Sequence, residues 1–354
     1  MGARARPDRV RRAQADVLAG LSVLVAGAGM AGLVCAARLR ELGRDVRLIE
    51  KGTRPGGSML LSSCVIWRHS EWDAFRAECP HGDPALQRLI WERLDDALDW
   101  LVSLGAEPVW EDTENPRTTG KRFDPRRLTQ LLTPDDVELG TPLPPDAEPP
   151  LVLACGGFGK RLAEERGLLL RANPWSDGAA LRFALHRGAR VTDGMDEFYG
   201  RVMPAPPARI REEDFVPLAQ LYGREAQVLT EDGRDITPSS VAWHENDLAS
   251  LIGQRAWYVV DELNERIEAA RAAGATVVER DDGRIAVYVA AAVTHTIGGL
   301  AVDTNARVAG VEGVYAAGVD AGGVATGGYA SGLAQALVLG LAAAEAIAGS
   351  QPAG

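Results

Sequence analysis

Apolar positions near the start of the chain fall into a repeating order. A continuous apolar run, Leu21 to Ala26, meets a glycine cluster, then helically spaced apolar residues to Leu42, a Gly43 stop, and a second apolar run ending on Glu50. Short apolar runs bounded by glycine predict buried strands, and an i, i+3, i+4 spacing predicts a helix between them. The same spacing predicts a helix over Pro84 to Gly105 (Leu86, Ile90, Leu94, Leu98, Leu101), in which Trp91 and Trp100 pack, and a short helix over Leu128 to Leu132. Val137 to Leu139 predicts a short strand, Pro142 to Pro150 a proline-rich connector, and Leu151 to Ala154 a buried strand. A turn at Asn173 to Gly178 precedes a helix to about His186, with Asp177 placed to cap it. From Phe198 to Arg284 prolines, acids and short mixed stretches replace the apolar strands, with a helix near Asp261 to Ala273. Strand character returns at Ile285 to Val293, and a glycine-rich run, Gly322 to Gly332, leads into an apolar closing helix. Alternating strands and helices predict an α/β fold with a parallel sheet.

Gly27, Gly29 and Gly32 stand in G-x-G-x-x-G spacing between the first strand and the first helix. The first allows the tight turn, the second lets a pyrophosphate approach the backbone, and the third brings helix and strand close. The helix start adds N–H donors and a positive dipole end. Glu50, 18 residues beyond Gly32, is placed to accept hydrogen bonds from a ribose. A plain βαβ unit would leave this terminal acid unexplained, so the unit reads as a dinucleotide site. Glycines close a second strand at Cys155 to Gly159, and ligands bind at the carboxyl ends of open parallel sheets. No second G-x-G-x-x-G unit follows a strand, so no dedicated nicotinamide-nucleotide domain is expected.

Composition narrows the partners. The chain has 354 residues, enough for two domains, and a net charge of −11, which argues against nucleic acid or an anionic membrane as partner. Cys35, Cys64, Cys79 and Cys155 form no C-x-x-C pair and no metal-ligand spacing, so they read as free thiols in a reducing cytoplasm, and no metal is expected. Residues 1–19 are basic without an apolar core and read as a flexible arm. Gly332 to Gly349 carries Gln335 and Glu345, which favours a buried helix over a membrane span.

Five segments in this order, GAGMAGLVCAARLRELGRDVRLIEKGTRPGGS, LVLACGGFG, SDGAALRFALHRGA, THTIGGLAVD and VEGVYAAGVDAGG, carry a resemblance. The chain resembles the FAD-binding flavoproteins that include fumarate reductases, succinate dehydrogenase flavoprotein subunits and 3-ketosteroid dehydrogenases. GGSMLLSSCVIW is more similar to the ketosteroid-dehydrogenase side. The resemblance implies a Rossmann-like FAD-binding domain of the glutathione-reductase type (20–197 and 285–354) with an inserted, shortened α+β cap (198–284). It further implies that Gly27, Ala28, Gly29, Met30 and Ala31 touch the diphosphate, that Glu50 binds adenosine ribose and that Lys51 sits beside it. Gly57, Ser58, Ser62 and Ser63 would line the ribityl chain and flavin, and Val137 would meet the adenine through its backbone. Ala154 and Gly156 would pass beside the cofactor, Asp177 would approach the flavin, and Gly318, Leu333 and Ala334 would hold its far edge. After Tyr-Ala-Ala-Gly the family has a glutamate. Here Val319 and then Asp320 follow, so the carboxylate is either displaced by one residue or lost from that role.

His295, before Thr-x-Gly-Gly, matches a substrate-binding histidine of the fumarate-reductase branch, and Tyr329 stands where that branch has its proton-donating arginine. A tyrosine suits a neutral carbonyl better than a dicarboxylate, either binding its oxygen or relaying a proton. The resemblance therefore implies an FAD-dependent oxidoreductase that moves a hydride between flavin N5 and a carbon next to a carbonyl. His295 would orient or polarise the substrate. The alternatives are a flavin oxidase of C–N or C–O bonds, or a non-redox isomerase or lyase. Trp243, His244, Tyr222 and Tyr258 of the cap are candidates to line the pocket. A small cap implies a more open pocket or one completed by a second subunit. The electron donor or acceptor is left open.

Overall fold

A computed structural model describes residues 22–219, 221 and 223–349; the expected arm at 1–19, Leu21 and Tyr222 lie outside the described residues. The chain forms two compact units. The first contains 22–157, Gly178–Met195 and 297–349, and the second Phe158–Asp177 and Asp196–Thr296.

In the first unit five parallel strands lie in the order Val314–Ala316, Leu151–Leu153, Val23–Ala26, Val46–Glu50, Glu138–Leu139. Parallel pairing puts all five carboxyl ends on one edge, so the loops after Ala26, Leu153 and Ala316 meet there. The first helix, Met30–Glu41, is buried through most of its length and packs on the closing helix, Gly332–Gly349. A Cβ at Gly340 would lie 2.8 Å from the Ala31 carbonyl oxygen, so the absence of a side chain there sets their close approach. By length and composition the closing helix could cross a membrane, but 67% of it is buried inside the protein. The long helix, Pro84–Ser103, starts on Asp83, whose side chain accepts the Ala85 and Leu86 N–H groups. It packs beside an antiparallel sheet of Val65–His69, Thr118–Phe123 and Pro108–Trp110.

The second unit is built on one strand, Ile285–Thr296. It pairs antiparallel with Phe198–Pro204, Arg255–Val260 and Val277–Glu279, and parallel with Leu169–Leu170. Gln227–Leu229 adds to the outer side of Arg255–Val260. This differs from the expected lobe of 198–284, because 158–177 and 285–296 belong to the same compact unit. An apolar run shows that a strand is buried, but not which sheet buries it. The helix expected to follow Asp177 starts at Ala179, with Gly178 as its N-cap residue in the left-handed conformation.

Candidate functional site

The glycine turn after the first strand is sterically determined. Gly27 has φ +108°, and a Cβ there would meet the Ala154 carbonyl oxygen at 2.1 Å. A Cβ on Gly32 would meet the Gly27 carbonyl oxygen at 1.8 Å. Gly29 is different: it is the N-cap residue of Met30–Glu41, and a Cβ there would come no nearer than 3.9 Å to Gly57 Cα. The space above it is open, no side chain caps the helix, and the first-turn N–H groups precede any intrahelical bond. An anion fits there.

Glu50 is 6% exposed; its Oε2 accepts the Ala28 N–H at 2.8 Å and its Oε1 the Gly52 N–H at 2.7 Å. Each oxygen retains acceptor capacity for a ribose hydroxyl. The carboxylate thus shapes the glycine turn. Lys51 and Ser58 are exposed, and Gly57, Ser63 and Val137 are half-buried. The Ser62 hydroxyl donates to the Met59 carbonyl oxygen at 2.8 Å and accepts the Cys64 N–H at 3.0 Å, so it closes the turn that the resemblance assigned to the cofactor.

Asp320 is 3% exposed, and its carboxylate accepts the N–H groups of Gly156 at 3.0 Å and Gly157 at 3.1 Å. It therefore joins two neighbouring strand ends and orders the Gly156–Gly157 turn. Burial pushes its carboxyl up to about 6, against the pull of those N–H donors. Gln335, which the sequence reading used only to argue against a membrane span, is the matching tie on the closing helix. Its Nε2 donates to the Gly318 carbonyl oxygen at 2.8 Å and to that of Ala321 at 2.6 Å. Ser331 Oγ accepts the Ala334 N–H at 3.3 Å, which takes one of the donors expected for a flavin; those of Gly332 and Leu333 precede the intrahelical bonds.

Tyr329 is half-buried. Its ring lies 5.3 Å from that of Trp67, and its carbonyl oxygen lies 3.2 Å from His69 Nε2. Gln87, fully buried in the long helix, donates through Nε2 to Val324 and Cys79 carbonyl oxygens at 2.8 and 3.0 Å, and so fixes the glycine-rich run. An amide between Leu86 and Ile90 was the signal that could have revealed it.

In the second unit His295 is half-buried near the end of Ile285–Thr296, beyond an irregularity in register between Val293 and His295. Its Nδ1 lies 3.1 Å from the Thr296 carbonyl oxygen and its ring 5.3 Å from that of Tyr199. Removal from water and, secondarily, the Arg171 guanidinium hold it below the usual histidine range, against the opposing bond to Thr296. The Thr296 hydroxyl is buried and has no partner among the described residues. Of the other cap candidates, His244 is buried, and its Nδ1 accepts the Asn246 N–H at 3.2 Å. Tyr258 is buried without a hydroxyl partner among the described residues, and Trp243 is half-buried. Among the described residues no group of three or more His, Cys, Asp or Glu could hold a metal.

A bare glycine face, an uncapped helix start, a buried acid at the end of the second strand and two further strand ends on the same sheet edge define a dinucleotide-binding site. The family model described as "FAD binding domain" matches residues 146–333, and the one described as "NAD(P)-binding Rossmann-like domain" matches 25–63. The chain belongs to the FAD-binding family, and FAD is its cofactor. A sequence search of curated proteins returns no match. Among solved structures the chain is similar to an open flavocytochrome c3 fumarate reductase (19% identity, TM-score 0.71, 98% of this chain and 82% of that one). It is also similar to a 3-ketosteroid Δ1-dehydrogenase from Sterolibacterium denitrificans (15%, 0.70, 93% and 99%). A third is a 3-ketosteroid Δ4-(5α)-dehydrogenase from Rhodococcus jostii RHA1 (18%, 0.63, 92% and 96%). At these identities the likeness is one of fold.

Proposed function

We propose that this FAD-dependent oxidoreductase acts on a small, neutral carbonyl compound, by α,β-desaturation or the reverse reduction. FAD, when bound, supplies the hydride acceptor or donor at N5. The first unit would hold its diphosphate on Gly29 and the helix start, and its ribose on Glu50. Tyr329 would bind the substrate oxygen through its phenol, and His295 would orient the substrate. The observation that carries this reading is Tyr329: a phenol in the glycine-rich run offers a hydrogen bond to a carbonyl but no fixed positive charge for a carboxylate.

Anaerobic addition of enones, ketones, carboxylates, amines and alcohols to the purified holoprotein tests it, with flavin absorbance as readout. Bleaching by a saturated ketone, or reoxidation of reduced flavin by an enone, is the expected result. Tyr329→Phe is expected to slow that step by at least about tenfold. Bleaching by amines or alcohols alone would replace the reading with an oxidase, and product formed without flavin reduction would replace it with a non-redox enzyme.

A further inference from the structure

We propose, building on that functional reading, that His295 is a hydrogen-bond acceptor at Nε2, held so by Arg171 as a positioning residue, and that it selects a ligand presenting a hydroxyl. Such a ligand is the enol form of the carbonyl substrate; a bare carbonyl oxygen or a carboxylate offers it nothing to accept.

The argument starts at the other ring nitrogen. His295 Nδ1 faces the Thr296 carbonyl oxygen at 3.1 Å. A carbonyl oxygen only accepts, so Nδ1 carries the hydrogen. In an uncharged imidazole the lone pair then lies on Nε2. No group among the described residues bonds Nε2.

Arg171 supplies the constraint on charge. Its backbone N–H donates to the Val293 carbonyl oxygen at 2.8 Å. Its Nε donates to the Phe215 carbonyl oxygen at 2.8 Å, and its Nη1 to Thr294 Oγ1 at 3.3 Å. The guanidinium is thus tied to the strand that carries His295, at the residue before it, and repels a second positive charge there. Arg171 from the 158–177 segment and Tyr199 from the paired strand are the titratable groups found against the ring. Arg171 disfavours the imidazolium, which leaves the lone pair on Nε2 as an acceptor.

On this assignment His295 and Tyr329 have opposite hydrogen-bond roles, one accepting and one donating. The polarising role expected for His295 passes to the tyrosine.

The test uses the full chain loaded with FAD and labelled with ¹⁵N-histidine. Two-bond ¹H–¹⁵N correlations at pH 7, with His295 assigned by its loss in His295→Gln, are expected to show hydrogen on Nδ1 and a bare Nε2. An imidazolium, or hydrogen on Nε2, would overturn the assignment. Phenol is expected to move the Nε2 resonance upfield and anisole to leave it in place; no effect of phenol, or equal effects, would overturn the ligand class. Arg171→Gln is expected to raise the His295 titration midpoint and Arg171→Lys to keep it low. An unmoved midpoint in Arg171→Gln would remove Arg171 from the role. The wild-type measurements stand even where a variant does not fold. They also need no flavin reduction, so they can fail while the bleaching test succeeds, or the reverse.

Discussion

His69 Nε2 lies 3.2 Å from the carbonyl oxygen of Tyr329. That oxygen only accepts, so the bond requires hydrogen on Nε2. The His69 ring is stacked on Phe75 at 5.2 Å and meets Trp67 edge-on at 5.3 Å, which leaves it little freedom to turn. His69→Phe keeps an aromatic ring and deletes the bond. It is expected to cost about 1 kcal/mol of stability and to slow flavin reduction several-fold by loosening Tyr329. Urea unfolding and anaerobic stopped-flow absorbance measure the two effects separately.

Gly27→Ala places a methyl 2.1 Å from the Ala154 carbonyl oxygen at φ +108°. Neither neighbouring strand can give way without losing its pairing. A loss of about 3 kcal/mol or more is expected, together with protein purified nearly free of FAD. The flavin-to-protein absorbance ratio and the melting temperature report it.

Gln335→Leu retains a long side chain and strands the buried Ala321 carbonyl oxygen, while that of Gly318 keeps the Ala321 N–H at 3.1 Å. Each buried acceptor left without a donor costs about 1–3 kcal/mol. A lower denaturation midpoint is expected, with a larger fall in FAD affinity than a surface substitution gives. Unaltered unfolding would show that water replaces the amide.

Asp320 and His295 impose opposite dependences on pH. The Asp320 carboxyl titrates near 6 in the folded chain, above the ordinary 3.8. Its contribution is therefore complete below about pH 3.8 and is lost as pH rises through about 6. Two units correspond to about 3 kcal/mol. His295 is lowered instead, so its contribution is complete above the ordinary value of 6.5 and is lost as pH falls below it. Comparing unfolding of the wild type and Asp320→Asn between about pH 4 and 7 isolates the first effect. The wild type is expected to lose stability relative to the variant as pH rises. Parallel curves would show that the Gly156 and Gly157 N–H groups fully offset burial.

Much of the first unit was legible because its signals are local. Gly27, Gly32 and Glu50 follow from turn sterics and strand termini, and the Pro84–Ser103 helix follows from its period and Asp83 cap. Sequence spacing could not show that Glu50 binds the Ala28 and Gly52 N–H groups, or that Asp320 bridges to Gly156 and Gly157, 164 and 163 residues away. Arg171 was invisible for the same reason. Its bonds to Phe215 and Thr294 arise only once three distant segments fold together. The division between units was misread because Ile285–Thr296 has the composition of a nucleotide-binding strand and the partners of a different sheet.

Ile285–Thr296 is held by four partner strands, and the 230–234 and 280–284 turns lie toward its Ile285 end, away from His295. Lengthening or trimming the 230–234 or 280–284 turn therefore leaves the register of His295 against Tyr199 unchanged. The lobe can acquire new loops while His295 keeps its address.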